Sequence, residues 1–182
     1  TPLFAAMKAK QSQIAIRLIR AGANVHHINK DGKDPLYIAG ANDQAEVIPV
    51  LVQNGAKIIN SLWWSDRTTP VNGATPLFGA VRNQASLATI QALIGAGDNP
   101  HGLLSSGTNL VFWATVQASV ETLEYLLNVH RVNPDIICND SGRSPLHYAA
   151  HFSTSFETKD PAKCQKYRDC IEVLLKYGAN PN

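Results

Sequence analysis

The chain has 182 residues, a length that fits one compact domain or one short array of repeats. Hydrophobic residues make up 45%, enough to build an interior, but charged residues only 16%, against roughly 25% in an average soluble protein, and the formal net charge of +2 argues against a densely basic nucleic-acid binder. No apolar run approaches the ~20 residues of a membrane span, no signal-peptide pattern opens the chain, and three cysteines, an odd number, do not read as a disulfide framework, so a reducing compartment is expected.

Taken in chain order, one short pattern recurs. It begins as Thr1-Pro2-Leu3-Phe4-Ala5-Ala6 and returns as Asp34-Pro35-Leu36-Tyr37-Ile38-Ala39 and Thr75-Pro76-Leu77-Phe78-Gly79-Ala80. A weak copy, Asn109-Leu110-Val111-Phe112-Trp113-Ala114, precedes the last, Ser144-Pro145-Leu146-His147-Tyr148-Ala149. The steps between starts are 33, 41, 34 and 35 residues. Thr, Asp, Asn or Ser before Pro marks a helix start, because the side-chain oxygen caps free N–H groups and Pro suits the first turn. The small residues that follow allow close helix packing. A second apolar stripe of helical spacing follows each start and closes on Gly22, Gly55, Gly97 or Gly178, where glycine can take the left-handed conformation that ends a helix. The fourth stripe, Leu126-Leu127-Asn128-Val129-His130, has no glycine. Turn sequences such as Lys30-Asp31-Gly32-Lys33 and Asp140-Ser141-Gly142-Arg143 lie between units. Each unit therefore reads as helix, tight turn, helix and projecting hairpin-like loop, and only stacking buries its apolar faces.

The period near 33, the T-P-L-x-x-A starts and the G-A-N endings resemble the ankyrin repeat across nearly the whole chain, in five units beginning near 1, 34, 75, 109 and 144. The resemblance implies a single domain spanning 1–182, an all-α repeat solenoid. The chain departs from the family pattern in places. The usual histidine survives only as His147; Phe4, Tyr37, Phe78 and Phe112 replace it. Pro49, near the start of the second helix of repeat two, is expected to shift or distort that first turn. Residue 1 falls on a helix cap and residue 182 lies just past a closing glycine, so a fragment of a longer protein is expected.

The period breaks at two main places. Eight extra residues fall within 58–72, around Trp63 and Trp64, and thirteen within 151–163. The tryptophans have two readings: packing on neighbouring hairpins, or aromatic contact with a partner, the adjacent side chains of an extended segment pointing to opposite faces. The segment 151–163 reads either as a surface loop without a role or as a functional one, with part of it extending the first helix.

Several motifs carry residue types used in catalysis or metal binding. His147 and His151 stand four apart on one helix face, but Tyr148 occupies the place where a metalloprotease motif needs Glu. Cys164 and Cys170 are too far apart for a Cys-x-x-Cys site, Cys170 falls on an apolar stripe, and Gly95-Ala96-Gly97 lacks the strand before it and the Lys-Ser/Thr after it that a phosphate loop requires. No catalytic residue, metal ligand or cofactor is assigned.

Proteins of the resembling family dock polypeptides on a concave face of hairpin tips and first-helix ends. Carried over repeat by repeat, that face comprises Lys30, Asp31, Lys33 and Asn42, then Asn72, Arg82 and Asn83, then Ser106 and Gln117, then Asp140, Arg143, His151 and Phe152, with Lys8 extending the row and Trp63 and Trp64 adding a loop contact. The set is polar and mildly basic, which suits a modestly acidic or neutral polypeptide and not duplex nucleic acid or a membrane. The expected function is non-enzymatic protein–protein recognition by a monomer. The alternative is the targeting part of a larger enzyme, or of a host-directed bacterial effector, whose catalysis lies outside these residues. Degenerate, Asn- and Gln-rich, interrupted repeats resemble such effectors and equally a divergent eukaryotic or viral protein. The expected location is the cytoplasm (the host's, for a delivered effector), with the nucleus as the alternative.

Overall fold

In the computed structural model of the chain, residues 1–58, 61–64, 70–154 and 160–182 are described, with 61–64 and 70–74 described in backbone only. The chain divides into two compact units, Thr1–Asn99 and Pro100–Asn182. The first contains α1 (Pro2–Lys8), α2 (Ser12–Arg20), α3 (Pro35–Ala41), α4 (Val47–Gln53), β1 (Ser61–Trp64), β2 (Pro70–Ala74), α5 (Pro76–Arg82) and α6 (Leu87–Gly95). The second contains α7 (Leu110–Val116), α8 (Val120–Asn128), α9 (Pro145–Phe152) and α10 (Pro161–Lys176).

Every first helix begins with the same local bond. The side-chain oxygens of Thr1, Asp34, Thr75, Asn109 and Ser144 accept from the backbone N–H three residues on, at 3.4, 2.7, 3.4, 3.0 and 3.3 Å. Each such cap contributes about 1 kcal/mol. The second helices end where glycine turns left-handed: Gly22, Gly55, Gly97 and Gly178 have φ of +88, +92, +96 and +86°. The following residue then donates back across the turn, as in Ala23 N–H to the Leu18 carbonyl at 3.0 Å and Asp98 N–H to the Leu93 carbonyl at 3.1 Å. Repeat four lacks that glycine, and Arg131 takes the left-handed conformation instead (φ +50°), with Val132 N–H returning to the Leu126 carbonyl at 3.2 Å.

Between the paired helices, Lys10, Asp43, Gln84 and Ala118 also adopt positive φ, from 52 to 59°. Side chains are strained there, and the turn is held by the N–H of the next residue, for example Gln44 to the Ala39 carbonyl at 2.9 Å. Asp43 reaches further: its Oδ1 accepts from Ser86 N–H (2.9 Å), Ser86 hydroxyl (2.7 Å) and Thr89 hydroxyl (2.6 Å), so the turn of one repeat caps α6 of the next.

In the first unit the first helices stack in the order α1–α3–α5 and the second helices in the order α2–α4–α6. Leu3, Met7, Ile19, Leu36, Ile48, Leu51, Leu77, Ile90 and Leu93 are buried between them. Burying each such side chain contributes roughly 1.5–3 kcal/mol. In the second unit α7 packs on α9 and α8 on α10, around Leu110, Leu123 and Tyr167. The contact of α3 with α5 depends on two glycines. A Cβ at Gly40 would stand 2.8 Å from the Pro76 carbonyl oxygen, and one at Gly79 would stand 2.9 Å from the Tyr37 ring.

Both sequence interruptions have structure. The first contains an antiparallel hairpin, with Ser61 opposite Ala74, Trp63 opposite Val71 and Trp64 opposite Pro70. In the second, α9 runs one residue longer than the seven-residue α7, and α10 reaches sixteen residues, capped by Asp160 on the amides of Ala162 and Lys163. Residues 161–163 of the expected insertion are thus helix, because Asp-Pro supplies a helix start. Pro49 occupies the third position of α4, where its missing N–H has no helical partner to lose. That helix has seven residues where α2 and α6 have nine.

Two buried carboxylates add a pH dependence. Burial pushes Asp98 up to about 6, although it accepts from the Leu77 amide at 2.9 Å and from the Thr75 hydroxyl. Its other oxygen has no partner among the described residues. Burial raises Asp34 as well. For Asp43 burial acts upward too, but the bonds from Thr89 and Ser86 outweigh it and the net shift is downward.

Two outcomes follow. Gly40→Ala is expected to destabilise by about 1–3 kcal/mol through overpacking. Gly95→Ala in α6, whose Cβ meets nothing within 4 Å among the described residues, should stabilise by up to about 1 kcal/mol; equilibrium denaturation distinguishes the two signs. For Asp98 the folded value of about 6 exceeds the unfolded 3.8. Its contribution therefore rises as pH falls through 6 and levels off below 3.8, by up to about 3 kcal/mol. Asp98→Asn should remove that component, read as the difference between the two proteins' stability profiles from pH 7 to pH 4.

Candidate partner-binding face

In the first unit the turn before α3 is built by Asn29. Its Oδ1 accepts from the amides of Asp31 (2.9 Å) and Lys33 (3.0 Å), and Gly32 closes the turn at φ +72°. This leaves Lys30 and Asp31 exposed and Lys33 half-buried, with its Nζ 5.0 Å from the centre of the Tyr37 ring. Burial pulls the Lys33 ammonium below its ordinary value; Asp31 opposes this, while Arg82 and Lys8 add to it. Four charged groups from α1, the α3 turn and α5 thus share one electrostatic neighbourhood. Beside them, Phe4, Ala5, Lys8, His27, Lys30 and Asp31 line a cleft of about 260 Å³, where the Phe4 and His27 rings meet edge-on at 5.7 Å.

The remaining predicted residues of this unit differ in role. Asn42 is half-exposed, and its amide donates to the Met7 carbonyl at 3.0 Å, tying α3 to α1. Asn83 is exposed but donates to the Gly79 carbonyl of its own helix at 2.8 Å. Trp63, Trp64 and Asn72 lie on β1 and β2, and both readings of the two tryptophans fall on side chains outside the described residues.

In the second unit Ser106 shares a 2.8 Å hydrogen bond with Thr108, and its carbonyl accepts from Asn139 N–H at 2.9 Å, joining adjacent turns. Asp140 and Arg143 are exposed on the second of these turns, which is closed by Cys138 N–H to the Arg143 carbonyl at 3.0 Å. Gln117 caps α7 and is half-buried, and His151 is exposed at the end of α9. Phe152 is less available than the sequence suggested. Its ring lies 4.5 Å from Tyr148, 5.8 Å from Tyr167 and 4.8 Å from His151.

Sequence alone marks no packing role for Tyr148 and Tyr167, nor for Trp113, whose indole N–H donates to Thr108 at 3.0 Å. The Tyr167 hydroxyl donates to the Val116 carbonyl at 3.0 Å, and burial, with Tyr148 nearby, pushes it up to about 12. One available signal was the Tyr148–Phe152 spacing of four residues, which places both on one helix face.

The chemistry-bearing residues have structural surroundings. Cys138, Cys164 and Cys170 are buried and none is in a disulfide, and burial, then Asp169, pushes Cys170 up to about 12, far from a reactive thiolate. His147 Nδ1 is 2.8 Å from the Ser144 hydroxyl. Among the described residues no group of three His, Cys, Asp or Glu is placed to hold a metal ion, and no helix is long and apolar enough to cross a membrane.

A family model described as ankyrin repeats (3 copies) matches residues 77–182. The chain belongs to the ankyrin-repeat family, whose domains are typically non-catalytic and generally mediate protein–protein interaction. It is 28% identical over 83% of its length to an ANK repeat-containing protein, nipk-1, of Caenorhabditis elegans, covering 25% of that protein. It is 29% identical over 80% of its length to neurogenic locus notch homolog protein 1 of Danio rerio, covering 6% of it. To the nuclear factor NF-kappa-B p105 subunit of Gallus gallus it is 28% identical over 82%, covering 15% of that protein. The chain thus spans a quarter or less of these relatives.

Tyr167→Phe removes the bond to Val116 while keeping the ring stack. The expected cost is about 1 kcal/mol, seen as a thermal midpoint lower by a few degrees. An unchanged midpoint would remove that bond from the account of how α10 is held.

Proposed function

We propose that the chain recognises a polypeptide partner along the face formed by its hairpin turns and the C-terminal ends of its first helices, a face that is concave in the family. The observation that carries this reading is the grouping of Lys8, Lys30 and Asp31 around a cleft, with Lys33 on the neighbouring Tyr37 ring. Charged residues of successive repeats occupy turn and helix-end positions, beside hairpin segments that also expose Ile28, Leu103 and Ile137. Asp140, Arg143 and His151 present exposed polar groups from the corresponding positions of the second unit. Trp63 and Trp64 belong to the proposal as residues of an added hairpin, and Ser106, Gln117, Asn72, Asn83 and Phe152 as its flanks. In a longer protein the same module would act as the targeting part, a reading favoured by the much greater length of the relatives.

The test uses the 182-residue chain as bait beside a Lys33→Glu/Arg82→Glu/Arg143→Glu variant and a Trp64→Ala variant, each checked for an unchanged circular dichroism spectrum. Proteins captured by the wild type and lost from the charge variant are the expected result. Undiminished capture by every folded variant would move the site off this face.

A further inference from the structure

Three of the turns that join a second helix to the next first helix expose a large apolar side chain at the same place. The turn between α2 and α3 is closed by Asn29 N–H to the Lys33 carbonyl (2.9 Å), that between α6 and α7 by Leu104 N–H to the Thr108 carbonyl (2.9 Å), and that between α8 and α9 by Cys138 N–H to the Arg143 carbonyl (3.0 Å). The residue just before each donor is Ile28, Leu103 or Ile137, exposed by 51, 56 and 57%. Apolar residues scattered singly over a surface are ordinary, but one position filled the same way in three turns is a repeated feature.

Leu103 and Ile137 belong to the second unit and stand on adjacent turns. Asn139 N–H donates to the Ser106 carbonyl at 2.9 Å, and a Cβ at Gly107 would stand 2.8 Å from the Asn139 side-chain oxygen, so the two turns touch. Packing of α7 on α9 beneath them sets the turns about 8–10 Å apart. Along the arm into the second turn Asn133, Asp135 and Ile137 are exposed, Pro134 and Ile136 half-buried and Cys138 buried. This alternation puts Asp135 and Ile137 on one outer side. The charge there is one-sided. Residues 100–108 and 132–142 hold Asp135 and Asp140, both exposed, and no Lys or Arg; Arg143 stands opposite Cys138 across the turn. Asp135 uses Oδ1 to accept from Asn180 N–H at 2.8 Å. The first unit's turn, 23–33, differs in holding Lys30 and Lys33 beside Asp31.

A chain laid across both turns of the second unit has to set an apolar side chain on each. In the extended three-residue helix that unfolded chains populate, side chains three apart share one side and lie about 9 Å from each other, which matches the spacing of the turns. In a flat strand the third residue points the other way. The carboxylates beside the apolar pair attract a cation and repel an anion.

We infer that the outer side of these two turns docks an extended segment of the polypeptide partner that carries apolar residues three apart and a Lys or Arg beside them. Leu103 and Ile137 take the apolar side chains, and Asp135 and Asp140 face the cation. The inference rests on polypeptide recognition as proposed above and adds a contact that does not use Lys33, Arg82 or Arg143.

The probe is a short fluorescein-labelled peptide with two leucines three positions apart and a lysine next to the second. Control peptides have the leucines side by side, serine for both leucines, or glutamate for lysine. Binding to the 182-residue chain is followed by fluorescence anisotropy, and the site is located by backbone amide shifts. The first peptide should shift amides near Leu103, Asp135 and Ile137 and bind about tenfold or more tightly than each control. Leu103→Ser/Ile137→Ser should weaken it by about tenfold and Asp135→Asn/Asp140→Asn by less, while Lys33→Glu/Arg82→Glu leaves it unchanged, with thermal midpoints showing that the variants fold. Absence of binding, binding that survives Leu103→Ser/Ile137→Ser, or equal binding of any control overturns the inference. Self-association of the chain in sedimentation velocity that Leu103→Ser/Ile137→Ser abolishes would assign the surface to a second copy and overturn it too. Failure of the peptide while proteins are still captured through Lys33, Arg82 and Arg143 would overturn this contact alone; failure of both would overturn the recognition reading as well.

Discussion

Helices of seven to nine residues do not persist alone in water, because the cost of nucleating the first turn is not recovered over so few hydrogen bonds. Nearly every described helix of this protein is that short, so the first helices depend on a side-chain cap at their start, most second helices on a left-handed stop at their end, and all on a neighbour along the side. The caps and stops are local, and they recur in each repeat with small changes of residue type. The neighbour is supplied by the next repeat, and the contact is close enough that α3 and α5 meet through Gly40 and Gly79. Where the pattern lapses, another local device takes over: Arg131 performs the turn that glycine performs elsewhere, at a cost in backbone strain.

This arrangement separates the residues that hold the fold from those that face outward. Asp34, Asp98, Thr75 and Asn109 are polar yet buried, because each satisfies amides at a helix start or a turn. Asp43 and Asn42 link one repeat to the next from the surface. The second helices carry charges such as Arg17, Arg20, Glu121 and Glu124, and others, Lys8, Lys30, Asp31, Asp140 and Arg143, lie on the hairpin turns and first-helix ends. Repetition places them there, since equivalent positions of successive repeats come side by side. A surface assembled this way suits a ligand that is itself a chain, able to touch several repeats in turn.

The insertion in repeat five shows how a departure from the period is absorbed. Asp160-Pro161 restarts the helix early, and the resulting extension brings Tyr167 onto Tyr148, Phe152 and the end of α7. Phe152, which reads as a partner contact from its repeat position, is half-buried in an aromatic stack with Tyr148 and Tyr167. Its position in the motif was legible; the side chain that covers it comes from another helix, and no periodicity marks that.

The sequence by itself determined the repeat register, the helix starts and most of the helix ends, because a cap, a proline or a closing glycine acts on atoms within three to five residues of itself. It also named Lys33, Arg82 and Arg143 as outward-facing, since they occupy turn and helix-end positions of the repeat. The tertiary structure alone decided that burial raises Asp98 to about 6 and that Phe152 is half-covered. Each of these is set by atoms that meet across repeats, tens of residues apart along the chain, through burial and Coulomb interactions that have no signature in local sequence.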